Sequence, residues 1–466
     1  MIENRTFEEI ALGDSASLSR TFTQEDIDLF AVVSRDVNPS HLDAAYARDD
    51  LFHRIVAHGM LGASLISSVL GTRLPGAGTI YLAQDLRFLL PVNIGDTILA
   101  TLTVKEKQAG KNILGLACRC TNQQGQLVIS GTARVLAPTV KVRRPRIELP
   151  EVRLSRHERF RALLAATAGL EPIATAVVYP CDAIALGAVV EAVQARLITP
   201  ILIGPEAKIR GVAQAAGIDI AAFRVLDAPH SEAAATQAVT LVQQGEAALL
   251  MKGSLHTDEL LHAVLAPDSG MRTGRRLSHV YLMDVPGYPR PLLVTDAAVN
   301  IAPDLKQKRD IVQNAIDLAQ VMGIGTPRVA LLSAVETVNP KLRSTLDAAA
   351  LCKMADRGQI SGGLVDGPLA FDNALSPAAA KQKGIVSKVA GMADILVVPD
   401  LEAGNMLAKQ LIYLAGADAA GIVLGARVPI ILTSRADAER TRIASCAVAV
   451  LIARKRAETL ARATGT

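Results

Sequence analysis

Tryptophan is absent from this 466-residue chain, and aromatic residues make up only 3% of it although half of its residues are hydrophobic. The apolar content is therefore mainly alanine, valine, leucine and isoleucine, which is typical of helices packed on sheets. No apolar run reaches the length of a membrane span without a charge, a glycine or a proline, so no spanning segment is expected. The early acidic residues Glu3, Glu8 and Glu9 argue against a secretory signal.

Cysteine is scarce and scattered, with five residues that form no Cys-x-x-Cys pair. The odd count argues against a disulfide framework, and we expect a reducing, cytoplasmic setting. Cys118 and Cys120 lie two apart on an alternating segment, which indicates core residues on one strand face rather than a metal site. The 49 basic and 45 acidic residues nearly balance, so nucleic acid is not expected as a partner.

The chain length allows about two or three domains, and the sequence pattern changes twice. Up to Pro138, a capped helix start at Thr23, a second helix from His58 and several alternating segments predict an α+β domain with an antiparallel sheet around a helix. Residues 139–153 are basic and proline-rich, which indicates a semi-extended linker. Residues 154–466 alternate short apolar runs with helical stretches, which predicts an α/β domain.

An acid and a base stand close together in the first of these domains. Asp36 and His41 lie five residues apart across the break at Asn38–Pro39, and Gly59 follows a histidine at the start of the second predicted helix. A carboxylate and an imidazole can share a water and move its protons, and an amide at a helix start can stabilise negative charge on a carbonyl oxygen. The pattern predicts addition of water across a double bond conjugated to a carbonyl.

This order of residues, Asp-x-Asn-Pro-x-His followed by His-Gly-Met, resembles that of the MaoC-like, R-specific enoyl-CoA hydratases with their hot-dog fold. The resemblance implies that Asp36 and His41 activate the water. It implies supporting roles for three more positions: Asn38 within the segment, Gly59 with an amide that binds the thioester oxygen, and Ser67 on the following helix. Arg35 departs from the family pattern, and its guanidinium either lowers the basicity of Asp36 or faces a CoA phosphate.

From residue 154 to its end the chain resembles the phosphate acetyl/butyryltransferase family, closest to the butyryl-type branch. The resemblance implies an α/β fold of two subdomains, like that of isopropylmalate dehydrogenase, and transfer of an acyl group from CoA to phosphate. Acyl-CoA and phosphate are then substrates, with no metal or other cofactor. The strings that carry it are Met251-Lys252-Gly253, Ser278-His279-Val280, Thr295-Asp296-Ala297-Ala298, Asp366-Gly367-Pro368-Leu369-Ala370, Glu402-Ala403-Gly404-Asn405 and Leu432-Thr433-Ser434-Arg435.

Phosphate held beside a thioester needs backbone amides at a helix start and a fixed cation. Ser434 and Arg435 stand between a buried strand and the last predicted helix, which is such a place. The resemblance implies that both contact the acyl phosphate and the tetrahedral intermediate. It also implies substrate-binding roles in the cleft for Lys252, Asp296, Asp366 and Asn405, each of which has an alternative reading as a solvated, turn or cap residue.

Two positions depart from the acetyl-type pattern, because Thr441 and His262 stand where those members carry an aspartate and an arginine. The base for the CoA thiol therefore stays unassigned. One alternative keeps the hydratase and makes the second domain a non-catalytic acyl-CoA sensor and oligomerisation module. Another is a dehydrogenase of related fold, which predicts a clustered set of metal-binding aspartates. We expect at least a homodimer, because hot-dog domains bury a sheet edge or a helix face by pairing.

Overall fold

The computed structural model describes residues 1–145, 147–150, 152, 154, 157–433 and 437–464. The chain divides into two compact units, Met1–Ser155 and Arg156–Thr466. Among the described residues, every helix is too short or too polar to cross a lipid bilayer.

The first unit is α+β, as predicted. Its strands are β1 (Ile2–Glu3), β2 (Ser15–Thr21), β3 (Ile80–Phe88), β4 (Thr97–Gln108), β5 (Ile113–Thr121), β6 (Leu127–Leu136) and β7 (Arg143–Arg144). Its helices are α1 (Gln24–Ser34), α2 (Pro39–Leu42), α3 (Ala44–Asp49) and α4 (Gly59–Thr72), with a 3₁₀ turn at Ala109–Lys111. The larger sheet is antiparallel in the order β2-β4-β5-β6-β3.

Helix α4 packs against this sheet through an almost wholly apolar buried side that includes Leu65, Ile66 and Val69. The sheet contributes the inward-pointing residues of its alternating strands, and Cys118 and Cys120 lie buried among them. Both cysteines are free, which confirms their interpretation as core residues. The predicted helix start at Thr23 is confirmed as well, because Thr23 and Asp26 form a reciprocal capping box.

The predicted linker differs from the structure at its beginning. Residues Arg143 and Arg144 form strand β7, which pairs antiparallel with Ile2 and Glu3. The Asn4 side chain holds the same segment by donating to the carbonyl of Val140 at 2.9 Å and accepting from the amide of residue 142 at 2.8 Å. This part of the basic stretch belongs to the first unit because a distant N-terminal strand pairs with it, and that pairing has no local signal.

The second unit is α/β. Its strands are β8 (Ile173–Val178), β9 (Ile198–Gly204), β10 (Arg224–Asp227), β11 (Leu249–Lys252), β12 (Ser278–Asp284), β13 (Leu292–Thr295), β14 (Arg328–Leu332), β15 (Leu364–Leu369), β16 (Ile395–Val397), β17 (Asp418–Leu424) and β18 (Ile430–Ile431). Its helices are α5 (Glu158–Thr167), α6 (Ala183–Gln194), α7 (Glu206–Ala216), α8 (Ser231–Gln243), α9 (Thr257–Leu265), α10 (Leu305–Val321), α11 (Arg343–Asp356), α12 (Phe371–Leu375), α13 (Pro377–Gln382), α14 (Leu401–Tyr413) and α15 (Glu439–Thr464).

These strands form one eleven-stranded sheet in the order β10-β9-β8-β11-β18-β17-β12-β13-β16-β14-β15. The strands in its two outer portions are parallel. In the middle, β17 and β12 run antiparallel to each other; β17 is also antiparallel to β18, and β12 is also antiparallel to β13. The parallel strands are buried apolar runs, because helices cover both faces of such a sheet.

One face of the sheet carries a single core, to which α6, α10, α11 and α15 contribute. The opposite face carries two separate cores, one built with α8 and α9 and the other with α12, α13 and α14. The predicted two subdomains correspond to these two cores. Between them the sheet surface consists of Gly421 on β17 and of His279 and Tyr281 on β12, and we call these three residues the central strip.

Candidate active sites

The first site begins where α1 ends. Arg35 adopts a left-handed conformation with φ 59 and donates its amide to the carbonyl of Ala31 at 2.8 Å, so the chain leaves the helix sharply. Asn38 then caps α2 by accepting from the amide of Ser40 at 3.2 Å, and Pro39 occupies the first helical position. This tight turn reverses the direction of the chain, so that Asp36 and helix α2 face each other.

His41 is held by its Nδ1 atom, which lies 2.7 Å from the carbonyl oxygen of Val56. A carbonyl only accepts, so Nδ1 carries the proton and Nε2 is left with a lone pair. The Val56 segment is itself tied to the loop before β4, because Ala57 donates to the carbonyl of Val92 at 2.8 Å and Val56 bridges Asn93. The imidazole is thereby oriented as a proton acceptor.

The structure brings Asp36 and His41 together and adds His58 to them. The carboxylate of Asp36 and one ring nitrogen of each histidine all lie within 4.8 Å of one another. Asp36 is exposed and His41 half-buried, whereas His58 is only 2% exposed. Burial lowers the pKa of His58, and the neighbouring His41 lowers it further, while the hydrogen bond to Asp36 acts in the opposite direction.

Gly59 and Ser67 occupy different parts of α4. Gly59 is its first residue, and the side chain of His58 before it makes no capping hydrogen bond to the first turn. A Cβ atom on Gly59 would lie 3.0 Å from Cε1 of Phe88, so this position leaves little room for a side chain. Ser67 lies exposed eight residues further on, which is roughly 12 Å along the helix axis.

The second site lies in the second unit, on the face that bears the central strip. Lys252 is the last residue of β11. The strand register aligns it across the sheet with Gly421 on β17 and Tyr281 on β12, and it lies about 14 Å from Tyr281, which is three strand spacings away. Lys252 donates to the carbonyls of Gly253 and Leu255 at 3.1 and 3.2 Å. A cation therefore borders the strip on one side.

Strand β18 lies next to β11 in the sheet and leads directly to Thr433, which is 8% exposed. The predicted catalytic residues Ser434 and Arg435 follow it and lie outside the described residues. Tyr281 is half-buried in the strip, and burial together with the charge of Asp437 raises its pKa to about 12. Sequence analysis did not single out Tyr281. The apolar run over residues 280–283 predicts a strand, and only alternation along that strand could have shown that Tyr281 faces the same side as Lys252.

Asp296 and Asn405 approach each other at the next row of the sheet. Asp296 directly follows β13 and lies opposite His279, and its buried carboxylate accepts from the amides of Ala298, Val299 and Asn300 at 3.0–3.1 Å. Burial raises the pKa of Asp296, and these donors offset part of that effect. Asn405 on α14 donates to the carbonyl of Ala297 at 3.3 Å.

Asp366 is not brought together with these residues. It lies on β15, which is the edge strand of the sheet and is three spacings, or about 14 Å, from β13. Its carboxylate accepts from the amide of Gly367 at 2.8 Å. Asp366 therefore lies in the part of the sheet that α12, α13 and α14 cover, and not beside the central strip.

The two positions that depart from the acetyl-type pattern are also separated. Thr441 lies in the first turn of α15, where its carbonyl accepts from Ser445 at 2.7 Å, and Ser445 in turn accepts from the amide of Gly421 at 2.9 Å. His262 is exposed on α9 and lines an acidic groove with Glu232 and Asp258. Neither position supplies a carboxylate or a guanidinium to the central strip.

The metal-binding expectations can be compared with this geometry. Within the described part of the chain, Asp36, His41 and His58 are the only group of three or more histidine, cysteine, aspartate or glutamate side chains close enough to share an ion. The sequence analysis missed this cluster, because His58 is distant along the chain. Across the described ranges of the second unit, the clustered aspartates that a dehydrogenase would need do not occur.

Comparison with known proteins identifies both parts of the chain. Residues 230–450 match the family described as phosphate acetyl/butaryl transferase, and residues 11–119 match the MaoC like domain. The phosphate acetyltransferase of Rhizobium meliloti is 62% identical over 298 residues, which are 64% of this chain and 94% of that protein.

Solved structures resemble each part separately. A branched-chain phosphotransacylase from Enterococcus faecalis is 31% identical with a TM-score of 0.54, over 60% of this chain and 99% of that chain. An R-hydratase from Pseudomonas aeruginosa is 43% identical with a TM-score of 0.32, over 33% of this chain and 99% of that chain. The chain therefore belongs to the phosphate acetyl/butyryl transferase family and carries, ahead of its phosphate acyltransferase domain, an N-terminal MaoC-like hot-dog domain.

Proposed function

We propose that this protein is a bifunctional enzyme of acyl-CoA metabolism. Its first domain hydrates a trans-2-enoyl-CoA to an (R)-3-hydroxyacyl-CoA, and its second domain transfers an acyl group from CoA to phosphate, releasing acyl phosphate and CoA. The observation that carries the hydratase assignment is the proximity of Asp36 and His41, whose carboxylate oxygen and ring nitrogen lie within 4.8 Å of each other. The transferase assignment rests on the family to which the chain belongs.

The hydration step follows from the hydrogen bonds of the first site. Nε2 of His41 and the carboxylate of Asp36 share one water, and a proton leaves the water as its oxygen bonds to C3 of the enoyl group. A proton is then delivered to C2, so the elements of one water are added. The amide of Gly59, at the positive end of α4, stabilises the negative charge that develops on the thioester oxygen.

We propose that this chemistry needs no metal, although the three side chains are close enough to hold one. Nε2 of His58 donates to the carbonyl oxygen of Asp36 at 3.1 Å, which leaves only Nδ1 of His58 with a lone pair, and the proposed proton transfer itself uses the lone pair of His41. Hydration should then survive dialysis against a strong chelator at the full rate. Loss of activity that returns on adding zinc would instead show that the cluster binds an ion.

For the transferase, we propose that Ser434 and Arg435 hold the phosphate and the tetrahedral intermediate. Support comes from the strand that precedes them, because β18 lies beside β11, which ends at the cationic residue Lys252. A phosphate bound there would add to the thioester carbonyl, and the collapse of the intermediate would expel the CoA thiolate. We also propose, as the family resemblance implies, that Asp296, Asp366 and Asn405 bind substrate.

Two variants test the two activities in the full-length chain. Asp36→Asn should lower crotonyl-CoA hydration by about 10²–10⁴-fold, with Asp43→Asn, an exposed helix-cap carboxylate nearby, as the matched control. Arg435→Ala should abolish phosphate-dependent release of CoA from acetyl- or butyryl-CoA, with Arg210→Ala on exposed α7 as control. Each variant should leave the other reaction unchanged. CoA release that does not require phosphate in the parent protein would favour the sensor alternative.

We also propose that the protein is at least a homodimer through its first domain. Strand β3 is an edge of the sheet and pairs with β6 on one side only. Its large apolar residues Ile80, Leu82 and Phe88 are each at least half exposed. An exposed apolar edge is a template for pairing with another strand. Light scattering should show a dimer or larger assembly, and a monomeric mass would contradict this proposal.

A further inference from the structure

His58 is buried beside the acid–base pair, yet neither the proposed hydration chemistry nor helix capping uses its side chain. Its Nε2 atom lies 3.1 Å from the main-chain carbonyl oxygen of Asp36, 22 residues earlier in the chain. Because a carbonyl only accepts, Nε2 must carry the proton, and the bond joins α4 to the turn that carries the carboxylate. This non-local hydrogen bond restrains the backbone of Asp36 itself.

The same ring packs against His41, the proposed base. The ring centroids of His41 and His58 are 3.9 Å apart at an interplanar angle of 37°, and Phe30 from α1 lies on His58 with a centroid distance of 5.0 Å. A second positive charge at that distance would oppose the imidazolium that His41 must become during turnover. Burial lowers the pKa of His58, which favours its neutral form and so reduces this opposition.

The other nitrogen of His58 shows why an imidazole is informative here. Nδ1 is buried and has no hydrogen-bond partner. Burying a polar atom without a hydrogen-bond partner is unfavourable, and a phenyl ring of similar size would fill the space without that penalty. The property of histidine that offsets this penalty is the hydrogen bond from its Nε2–H group to the carbonyl oxygen of Asp36.

His58 is also covalently adjacent to Gly59, the residue whose amide is proposed to hold the thioester oxygen. Its own carbonyl accepts the first helical hydrogen bond of α4, from Leu61 at 3.0 Å. One residue therefore contacts the carboxylate segment and the base, and it is also bonded to the oxyanion donor. A shift of His58 would displace all three groups relative to one another.

We infer that His58 is a positioning residue, which uses its Nε2–H bond to Asp36 and its stacking on His41 to hold the acid–base pair in register with the Gly59 amide. This inference rests on the proposed hydratase function. Because His58 is only 2% exposed and the proposed role gives it no contact with the substrate, its loss should lower kcat while the KM for the enoyl-CoA stays unchanged.

The test compares two substitutions of His58 in the full-length protein, assayed with crotonyl-CoA. His58→Phe keeps a ring against His41 but has no donor, whereas His58→Gln loses the ring but keeps an N–H that can reach the Asp36 carbonyl. We expect kcat to fall about 10²-fold in His58→Phe, since displacement of a catalytic group by about 1 Å has an effect of that size. We expect His58→Gln to retain more activity than His58→Phe.

A residue that only fills space would give the reverse order, with His58→Phe close to the parent, and that result would overturn the inference. Circular dichroism and the phosphate-dependent release of CoA by the second domain verify that each variant is folded. If His58→Phe does not fold, His58→Leu takes its place as the donor-free variant with the same expectation. Asp36→Asn is measured in parallel. Full activity in Asp36→Asn would refute the hydratase proposal, whereas its loss together with an unaffected His58→Phe would refute only the role of His58.

Discussion

His279 lies over Gly421 in the central strip, so that a Cβ atom on Gly421 would be 3.0 Å from Nε2 of His279 and 3.0 Å from the carbonyl oxygen of Leu432. The two residues are diagonal neighbours across the antiparallel pair β12 and β17, two residues out of direct register. Because Gly421 has no side chain, the imidazole of His279 has room on the sheet surface between the two cores. The contact joins the middle of the sheet to the strand that leads to Thr433.

Gly421→Ala should therefore destabilise the second domain, because the added methyl group overlaps atoms that have no free space behind them. Overpacking of this kind costs about 1–3 kcal/mol. Urea unfolding of the full-length chain, followed through the loss of phosphate-dependent CoA release, measures the change. Gly211→Ala on α7 is the matched control, because a Cβ there meets nothing within 4 Å. Equal midpoints for the two variants would contradict the prediction.

His279 should also make the second domain sensitive to acid. Burial lowers its pKa from 6.5 to about 3, so below pH 6.5 the unfolded chain binds a proton that the folded chain does not. The free energy of unfolding therefore falls as the pH decreases from 6.5 towards 3, by at most about 1.4 kcal/mol per pH unit from this group.

His279→Gln removes that proton-binding difference. The difference between the unfolding midpoints of the parent and the variant should be smaller at pH 5 than at pH 7. Only the parent loses stability in this range, because only its unfolded chain binds a proton at position 279. The exposed residue His262, changed to Gln, serves as the control and should reproduce the pH dependence of the parent. An unchanged dependence in His279→Gln would show that the group does not stay neutral in the folded state.

Gly59→Ala should impair hydration. The added methyl group would lie 3.0 Å from Cε1 of Phe88, so either the ring or the start of α4 must move. A displaced amide stabilises the thioester oxygen less well, and kcat/KM for crotonyl-CoA should fall about tenfold or more. Gly71→Ala, on the same helix with nothing within 4 Å, should have no effect.

A double variant tests whether the clash with Phe88 causes the defect of Gly59→Ala. Adding Phe88→Leu to Gly59→Ala opens space where the methyl group would collide, and part of the activity should return. A double variant that is as impaired as Gly59→Ala alone would exclude the clash with Phe88 as the reason.

Arg442 on α15 forms a bidentate ion pair with Glu191 on α6, with N···O distances of 2.7–3.1 Å and with both side chains mostly buried. Arg442→Ala leaves a carboxylate in a poorly solvated place and should cost about 2–4 kcal/mol of unfolding free energy. The matched exposed pair Arg210–Glu206 contributes about 0.5 kcal/mol or less, so Arg210→Ala is the comparison. Similar urea midpoints in the two variants would contradict this reading of the pair.

Much of the secondary structure follows from local pattern. The sequence pattern predicts strands over residues 113–121 and 292–295, and β5 and β13 have these bounds. It predicts helix starts at Thr23, at His58 and at residue 402, and α1, α4 and α14 begin at Gln24, Gly59 and Leu401. These elements carry clear alternation, helical periodicity or a cap. Strand β17 was not predicted although it lies at the centre of the sheet, because Ala419, Ala420 and Gly421 have weak strand preference. Its strand conformation depends on pairing with β12 and β18.

The candidate sites likewise contain some residues that the sequence predicts and others that only the tertiary structure reveals. Asp36 and His41 are close along the chain, so a capped turn between them is sufficient to bring them together. His58 and Tyr281 were not predicted as site residues, because each reaches its site only through a contact or a strand register between distant segments. Asp366 was grouped with Lys252 on family resemblance, and the strand order separates them.

Short-range interactions in the sequence are enough for the helix caps, the alternating core of the first domain and the acid–base turn, because a few neighbouring residues satisfy one another there. Strand order, the central strip and the position of His58 depend on hydrogen bonds and packing between segments far apart in the chain. Such contacts form only when the whole core closes, since the apolar burial that stabilises them is shared by many elements.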